Sequence, residues 1–336
     1  MEVVVWNREQ QLLVLAAMAQ VMWLEDEHPP SELDKTLLDA TARHVFGLEG
    51  VPPRLPEVSP RALANALSQQ DERARALLFL TLAVYIEMEV EAARACVVDR
   101  YAAEFGIASD AVTNMRRLRD GQILRLKLDY GRKLLAAGFL PGDGILGTLK
   151  AVVDAYLETR GDEAVASRFR ALEKLPDGTL GKSYFQFYET RGFLLPGEKG
   201  AYPEALFTVH DASHLLGGFN TDPAGEIAVG AFTAGYAGRH ASEVLLDGIA
   251  AFHLGIMLDP PLDIRAARGQ MDPDLMMQGL ACGAVMTRDL MDGWDYWAAF
   301  ERPIVDVREE LGIVGAADVW LDSPNALGDK RRSPVG

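Results

Sequence analysis

Cysteine is scarce: Cys96 and Cys282 are the only two, far apart in sequence and in no CxxC motif. That excludes a disulfide framework and leaves two buried free thiols in a reducing compartment as the expectation. Positive charge is also scarce. Against 33 Lys and Arg stand 49 Asp and Glu, a formal net charge of −16. Nucleic-acid binding needs clustered cations to neutralise phosphates, so this balance speaks against a nucleic-acid partner. Broad attachment to anionic lipid is disfavoured too, although a local patch can still dock at a membrane surface. No uncharged apolar run of about 18 residues exists that would suit a membrane-spanning helix. The longest candidate, 244–262, is interrupted by Asp247, His253 and Asp259. The opening MEVVVWNREQ has neither the basic start nor the apolar stretch of a signal peptide. A cytoplasmic protein is therefore expected. Finally, almost nothing in the chain alternates with strand periodicity, which predicts an all-α fold.

What is present is enough chain for a large core and two domains: 336 residues, 49% hydrophobic and 24% charged. Helical spacing of Leu12, Leu13, Ala16, Ala19 and Trp23 predicts a helix over 8–24. An acidic turn follows in EDEHPPSELD, with Ser31 placed to cap the next helix and Glu32 and Asp34 in its first turn. That helix runs to about Phe46, and the four prolines of 51–60 enforce a loop. Helices are expected at 60–69 and 71–88. The segment 89–107 repeats the motif of acidic turn and helix, ending at Gly106, and Ser109 caps another. The cluster RRLRD (116–120) suits a solvated helix face. FLPGDGILG (139–147) is a glycine-rich loop, with helices at 145–160 and 162–173 and a turn at 175–181. The domain boundary is expected at 125–135, giving an N-terminal unit over 1–130 and a second over 134–325. The tail KRRSPVG suits disorder.

Metal-ligand side chains concentrate in one place, HDASHLLGGFNTDPAGE, residues 210–226. On a helix, His210 and His214 stand one turn apart on one face, and Asp211 neighbours His214 at the i, i+3 spacing. Gly217 and Gly218 then end that helix. Asp222 and Pro223 restart it as N-cap and N1. Glu226 falls at N4, past the capping-box position and free to face the first helix across a hairpin. Two imidazoles and two carboxylates suit a divalent metal: Zn²⁺ by default, with Fe²⁺ or Mn²⁺ also accepting so oxygen-rich a set. Asp211 serves either as a ligand or as the group that orients a histidine.

The spacing HDxxH, eleven residues, Glu resembles the signature of the COQ4 family of ubiquinone biosynthesis. Flanking blocks extend the likeness: ETRGDEAV (158–165), LPDGTLGKSYFQFY (175–188), TDPAGEIAVGAF (221–232) and WDYWAAFERPIVDVREELGI (294–313). The resemblance covers about 134–320. It implies an all-helical domain with a metal held by His210, Asp211, His214 and Glu226 between two consecutive helices. It also implies an apolar channel for an isoprenoid tail, and action on a prenylated hydroxybenzoate-type ring by oxidative decarboxylation and hydroxylation at C1. Organisation of other biosynthetic enzymes, with peripheral contact at the inner membrane face, is implied as well. Lys182 and Tyr184, just after the PDGTLG turn, are candidates to meet the polar head of that substrate. The N-terminal unit lies outside the usual COQ4 architecture. Its segments VMWLEDEHPPSELD and AVYIEMEVEAARACVVDRYAAEFGI resemble the TerB-like helical family, whose acidic turns can bind metal ions. Glu25, Asp26, Glu27, Glu87 and Glu89 are the residues concerned, and a solvated acidic turn is the simpler reading of them.

Other readings compete. A non-catalytic lipid-binding scaffold would use the apolar stretch 244–258 and the 11 methionines as a slot, although such a stripe suits a core equally. An HD-type phosphohydrolase would need an upstream histidine, and the nearest is His44, in the other unit. An HExxH protease would need Glu where Asp211 stands. His240 and His253 suit core or surface positions rather than ligation, and Trp294, Tyr296 and Trp297 suit packing of the closing helix. Self-association is compatible with such a helical domain.

Overall fold

Capping and apolar periodicity alone account for most of the helices in the computed structural model, which describes residues 6–24, 29–136, 157–238, 241–258, 266–314 and 316. Among these residues the fold is all-α, with no strand. The N-terminal half holds α1 (Arg8–Trp23), α2 (Glu32–Ala40, continued by a π-helical turn Thr41–Val45), α3 (Pro60–Ala66), α4 (Gln70–Tyr85), α5 (Ala92–Phe105), α6 (Asp110–Arg119) and α7 (Ile123–Ala136). The C-terminal half holds α8 (Glu163–Ala171), α9 (Leu180–Arg191), α10 (Glu204–Gly217), α11 (Pro223–Tyr236), α12 (Ala241–Phe252), α13 (Pro273–Ala284), α14 (Tyr296–Phe300) and α15 (Ile304–Leu311). Ser31 and Asp34 form a reciprocal capping box at α2, and Ser109 caps α6. None of these helices is long and apolar enough to cross a membrane.

The expected domain boundary at 125–135 falls inside α7, and apolar packing runs across it. One hydrophobic cluster joins Val14, Leu37, Leu80 and Val98 of the N-terminal half to Ile227, Leu246, Ile249, Met277 and Leu280 of the C-terminal half. A second gathers Phe169, Tyr184, Phe187, Leu215, Val229, Phe232 and Phe300. Helix α11 contributes to both clusters and is buried from Ile227 to Tyr236, as expected of a helix apolar on every side. Polar ties also cross between the halves. Lys133 Nζ lies 2.7 Å from Glu243, His44 Nε2 3.0 Å from Asp274 Oδ1, and His253 Nε2 3.0 Å from the Ile86 carbonyl.

The apolar stretch 244–258 is core. Leu245, Leu246, Ile249, Phe252, Leu254 and Leu258 are buried in the first cluster. The cavity that Leu245, Leu246 and Ile249 border with Leu78 and Tyr85 is about 10 Å³, room for one water and not for a lipid chain. The cysteine expectation needs correcting on burial, since Cys282 is only half-buried. Both thiols are free, but Cys96 is exposed. On α5 the buried stripe runs through Arg94, Ala95, Val97, Val98 and Tyr101, and position 96 faces away from it. RRLRD, expected as a solvated helix face, is an ion-paired one: Arg116 and Arg119 reach Asp99 at 2.7 and 2.8 Å, and Arg117 reaches Asp129 at 2.6 Å. The loop at 139–147, most of the helix expected over 145–160, His240 and the tail lie outside the described residues.

Candidate metal centre

The site is built on α10, and that helix is fixed at both ends. At its start the Glu204 backbone N–H donates to the Glu158 carboxylate at 2.8 Å, which satisfies one orphan amide of the first turn. The Glu204 carboxylate accepts from the Tyr296 hydroxyl (2.8 Å) and the Trp297 indole N–H (2.9 Å). At the other end Gly218 takes the left-handed conformation, φ 76°, that stops the helix. The carbonyls left over there are covered by Arg308 of α15, whose buried guanidinium donates to Leu215 O (2.6 Å) and Leu216 O (3.1 Å). The turn into α11 is pinned by Arg191 of α9, which donates to Thr221 Oγ1 (3.1 Å) and Asn220 Oδ1 (3.2 Å). Asp222 then caps α11 by accepting from the Gly225 N–H at 2.8 Å, with Pro223 at the first helical position.

These constraints bring three donors together. His210 Nε2 lies 3.3 Å from His214 Nε2 and 3.2 Å from Glu226 Oε2, and His214 Nε2 lies 3.4 Å from Glu226 Oε1. Ligands about 2.0–2.1 Å from one tetrahedral ion sit about 3.3–3.4 Å from each other, and each of these pairs is close to that spacing, with the two histidines facing different oxygens of Glu226. His214 Nδ1 lies 3.2 Å from the Phe219 carbonyl. A proton on Nδ1 donated to that carbonyl leaves the Nε2 lone pair facing the other donors, the usual way a ligating imidazole is oriented. Asp211 joins the set more loosely: it forms with both histidines a group whose ligand atoms lie within 4.8 Å of one another and could hold a metal ion. Its Oδ2 accepts a short hydrogen bond from the Tyr188 hydroxyl. The Tyr184 hydroxyl donates to the Tyr188 oxygen at 3.0 Å.

Charge and burial act against each other here. Burial alone would push His210 toward its neutral form, but the Glu226 carboxylate outweighs it and holds His210 at about 9. Burial would likewise raise Glu226, yet the two histidines hold it at about 2. Burial pushes the Asp211 carboxyl above the usual carboxylate range, and it pushes Tyr184 and Tyr188 well above the usual phenol. Exposure falls across the site: the His210 side chain is 36% exposed, Glu226 16% and His214 1%.

Compared with protein-family models, curated proteins and solved structures, the chain gives no match to any of the three. The site therefore has to be judged on its own residues.

Of the residues singled out in the sequence, His210 and His214 meet both Glu226, at 3.2 and 3.4 Å, and Asp211, with which they form a group that could hold an ion. Tyr184 comes within 3.5 Å of Asp211 Oδ2 but is wholly buried between Phe169, Tyr188 and Phe300. Lys182 is not brought to the site; its ammonium donates to the Glu173 carbonyl at the surface. Glu87 lies 3.7 Å from Arg94 and Glu89 3.5 Å from Arg268, in ion-paired turns, while Glu25, Asp26 and Glu27 lie outside the described residues. His44 and His253 are engaged elsewhere, with Asp274 and Ile86. The sequence reading missed Tyr188, Arg191 and Arg308. For Tyr188 a signal existed: it follows Tyr184 by four residues and so shares its helix face. The two arginines act through backbone carbonyls and loop side chains distant in sequence, and no spacing announces them.

Proposed function

We propose that the chain is a COQ4-like, metal-dependent enzyme that acts on a prenylated aromatic acid, removing the ring carboxylate oxidatively and hydroxylating C1. The observation that carries this reading is the convergence of His210, His214 and Glu226 within 3.4 Å, with Asp211 beside them, on the HDxxH–Glu signature. A divalent ion bound by these residues would supply positive charge for a substrate carboxylate; dioxygen is the oxidant, one of its atoms becoming the C1 hydroxyl as the carboxylate leaves as CO2 and the other leaving as water with two electrons from an external reductant, and iron would be suited to activate it. Aromatic side chains close to His210 and Tyr188 would suit an aromatic substrate. Tyr202 stacks on Phe207 at 4.3 Å, Phe207 stands 6.1 Å from His210, and Phe193 stands 5.9 Å from Tyr188. Phe193 is 40% exposed. An aromatic head lying against Phe207 would be within reach of His210. Metal analysis of the anaerobically purified protein, with a decarboxylation assay on a polyprenyl hydroxybenzoate, tests the proposal. His214→Ala is expected to lose bound metal and turnover together; turnover unchanged in the metal-free variant would overturn it.

A second reading makes the same centre structural, within a lipid-binding scaffold for a biosynthetic complex. The specific support is the number of donors, because four protein ligands close a tetrahedral zinc ion and leave no position for substrate. Non-exchanging zinc, with co-purifying prenyl lipid and no turnover, would favour it.

A further inference from the structure

Asp211 is the least tightly placed member of the set, and the tyrosines on α9 explain how it is held. Both are buried, Tyr184 wholly and Tyr188 at 5% exposure, and their rings stack at 4.9 Å between centroids. The stack is walled by Phe169, Phe187 and Phe300, with Phe193 edge-on at 5.9 Å. So enclosed, the two hydroxyls converge on Asp211, the Tyr184 hydroxyl itself lying 3.5 Å from Asp211 Oδ2. Tyr184 donates to the Tyr188 oxygen, and Tyr188 donates to Asp211 Oδ2. A neutral phenol spends its single proton on one acceptor, so Tyr188 has none left for another. One carboxylate oxygen of Asp211, Oδ2, is thereby engaged by the tyrosine pair.

We propose that Tyr188 is a positioning residue for the metal centre: it divides Asp211 between the tyrosine pair and the ion, makes it a one-oxygen ligand, and Tyr184 orients Tyr188 in turn. The inference rests on the metal-binding reading above and adds to it the identity of the group that controls the fourth donor. Partners that orient a ligand in this way commonly change metal affinity about 10–100-fold when removed.

Equilibrium titration of the full chain with Zn²⁺ against a chromophoric chelator, and the visible spectrum of the Co²⁺ adduct, are the measurements. In wild type, failure to bind either ion would sink the metal-binding reading itself. Given binding, Tyr188→Phe is expected to weaken Zn²⁺ by about 10–100-fold and to shift the Co²⁺ bands, with helix content unchanged. Tyr184→Phe should weaken it less, because the Tyr188 hydroxyl still meets Asp211. On an Asp211→Asn background, Tyr188→Phe should add little, since its effect is transmitted through that carboxylate. Equal affinity and an identical Co²⁺ spectrum in Tyr188→Phe would overturn the inference. So would losses that simply add in the double variant, which would mark Tyr188 as a packing residue. If Tyr188→Phe fails to fold, Tyr184→Phe and Asp211→Asn, singly and combined, make the same comparison.

Discussion

His253 shows how a single residue is committed by its neighbours. It is fully buried, Nε2 faces the Ile86 carbonyl at 3.0 Å, and Nδ1 accepts the Met271 N–H at 3.2 Å. Only the neutral ring with its proton on Nε2 satisfies both, and burial lowers the pKa, although Glu87 nearby pulls the other way. The unfolded chain, with an ordinary histidine near pH 6.5, therefore binds more protons than the folded one once the pH falls below that value. This residue's contribution to stability is present above pH 6.5 and is lost as the pH falls toward its lower folded value. Urea unfolding at pH 7.5 and 5.5 should show a larger loss in wild type than in His253→Gln. At neutral pH, His253→Ala should cost about 1–3 kcal/mol by leaving the Ile86 carbonyl and the Met271 amide unpaired.

At the scale of elements, the packing of α11 on α13 decides where Glu226 stands. The two backbones come close because glycines face the contact. A Cβ on Gly279 would lie 2.4 Å from the Ala228 carbonyl oxygen, and one on Gly283 would lie 1.9 Å from that of Phe232. Both opposing atoms are backbone, so the helices must separate to admit a methyl group. Gly283→Ala should destabilise by about 1–3 kcal/mol or more, read from thermal unfolding. It should also weaken zinc, because α11 carries Glu226 while both histidines stay on α10. A variant as stable and as metal-competent as wild type would show that α11 does not depend on this contact.

For the whole molecule, the decisive fact is that one apolar cluster includes residues from both halves of the chain. Leu245, Leu246 and Ile249 of α12 and Met276, Met277 and Leu280 of α13 are buried partly by N-terminal helices. Removing residues 1–122 should expose them, and the remaining chain is expected to aggregate or to lose cooperative unfolding. The full chain should unfold in a single urea transition, monitored by circular dichroism and tryptophan fluorescence together. Two separated transitions, or a truncated chain that folds and binds metal, would establish that the two parts are independent.

Local chemistry was legible without a structure. Capping residues, glycine stops and apolar spacing placed most of the helices, because helix ends are satisfied by side chains within a few residues in sequence. Gly218 and the Asp222–Pro223 restart located the turn, and the one-turn spacing of His210 and His214 followed from helix geometry alone. Tertiary structure decided the rest. It brought Glu226 against the histidines, gave one Asp211 oxygen to Tyr188, left Lys182 at the surface and turned the stretch 244–258 into shared core. Those outcomes depend on side chains and carbonyls from 9 to more than a hundred residues apart. Their contact is selected by the burial of whole helix faces, which no local pattern encodes.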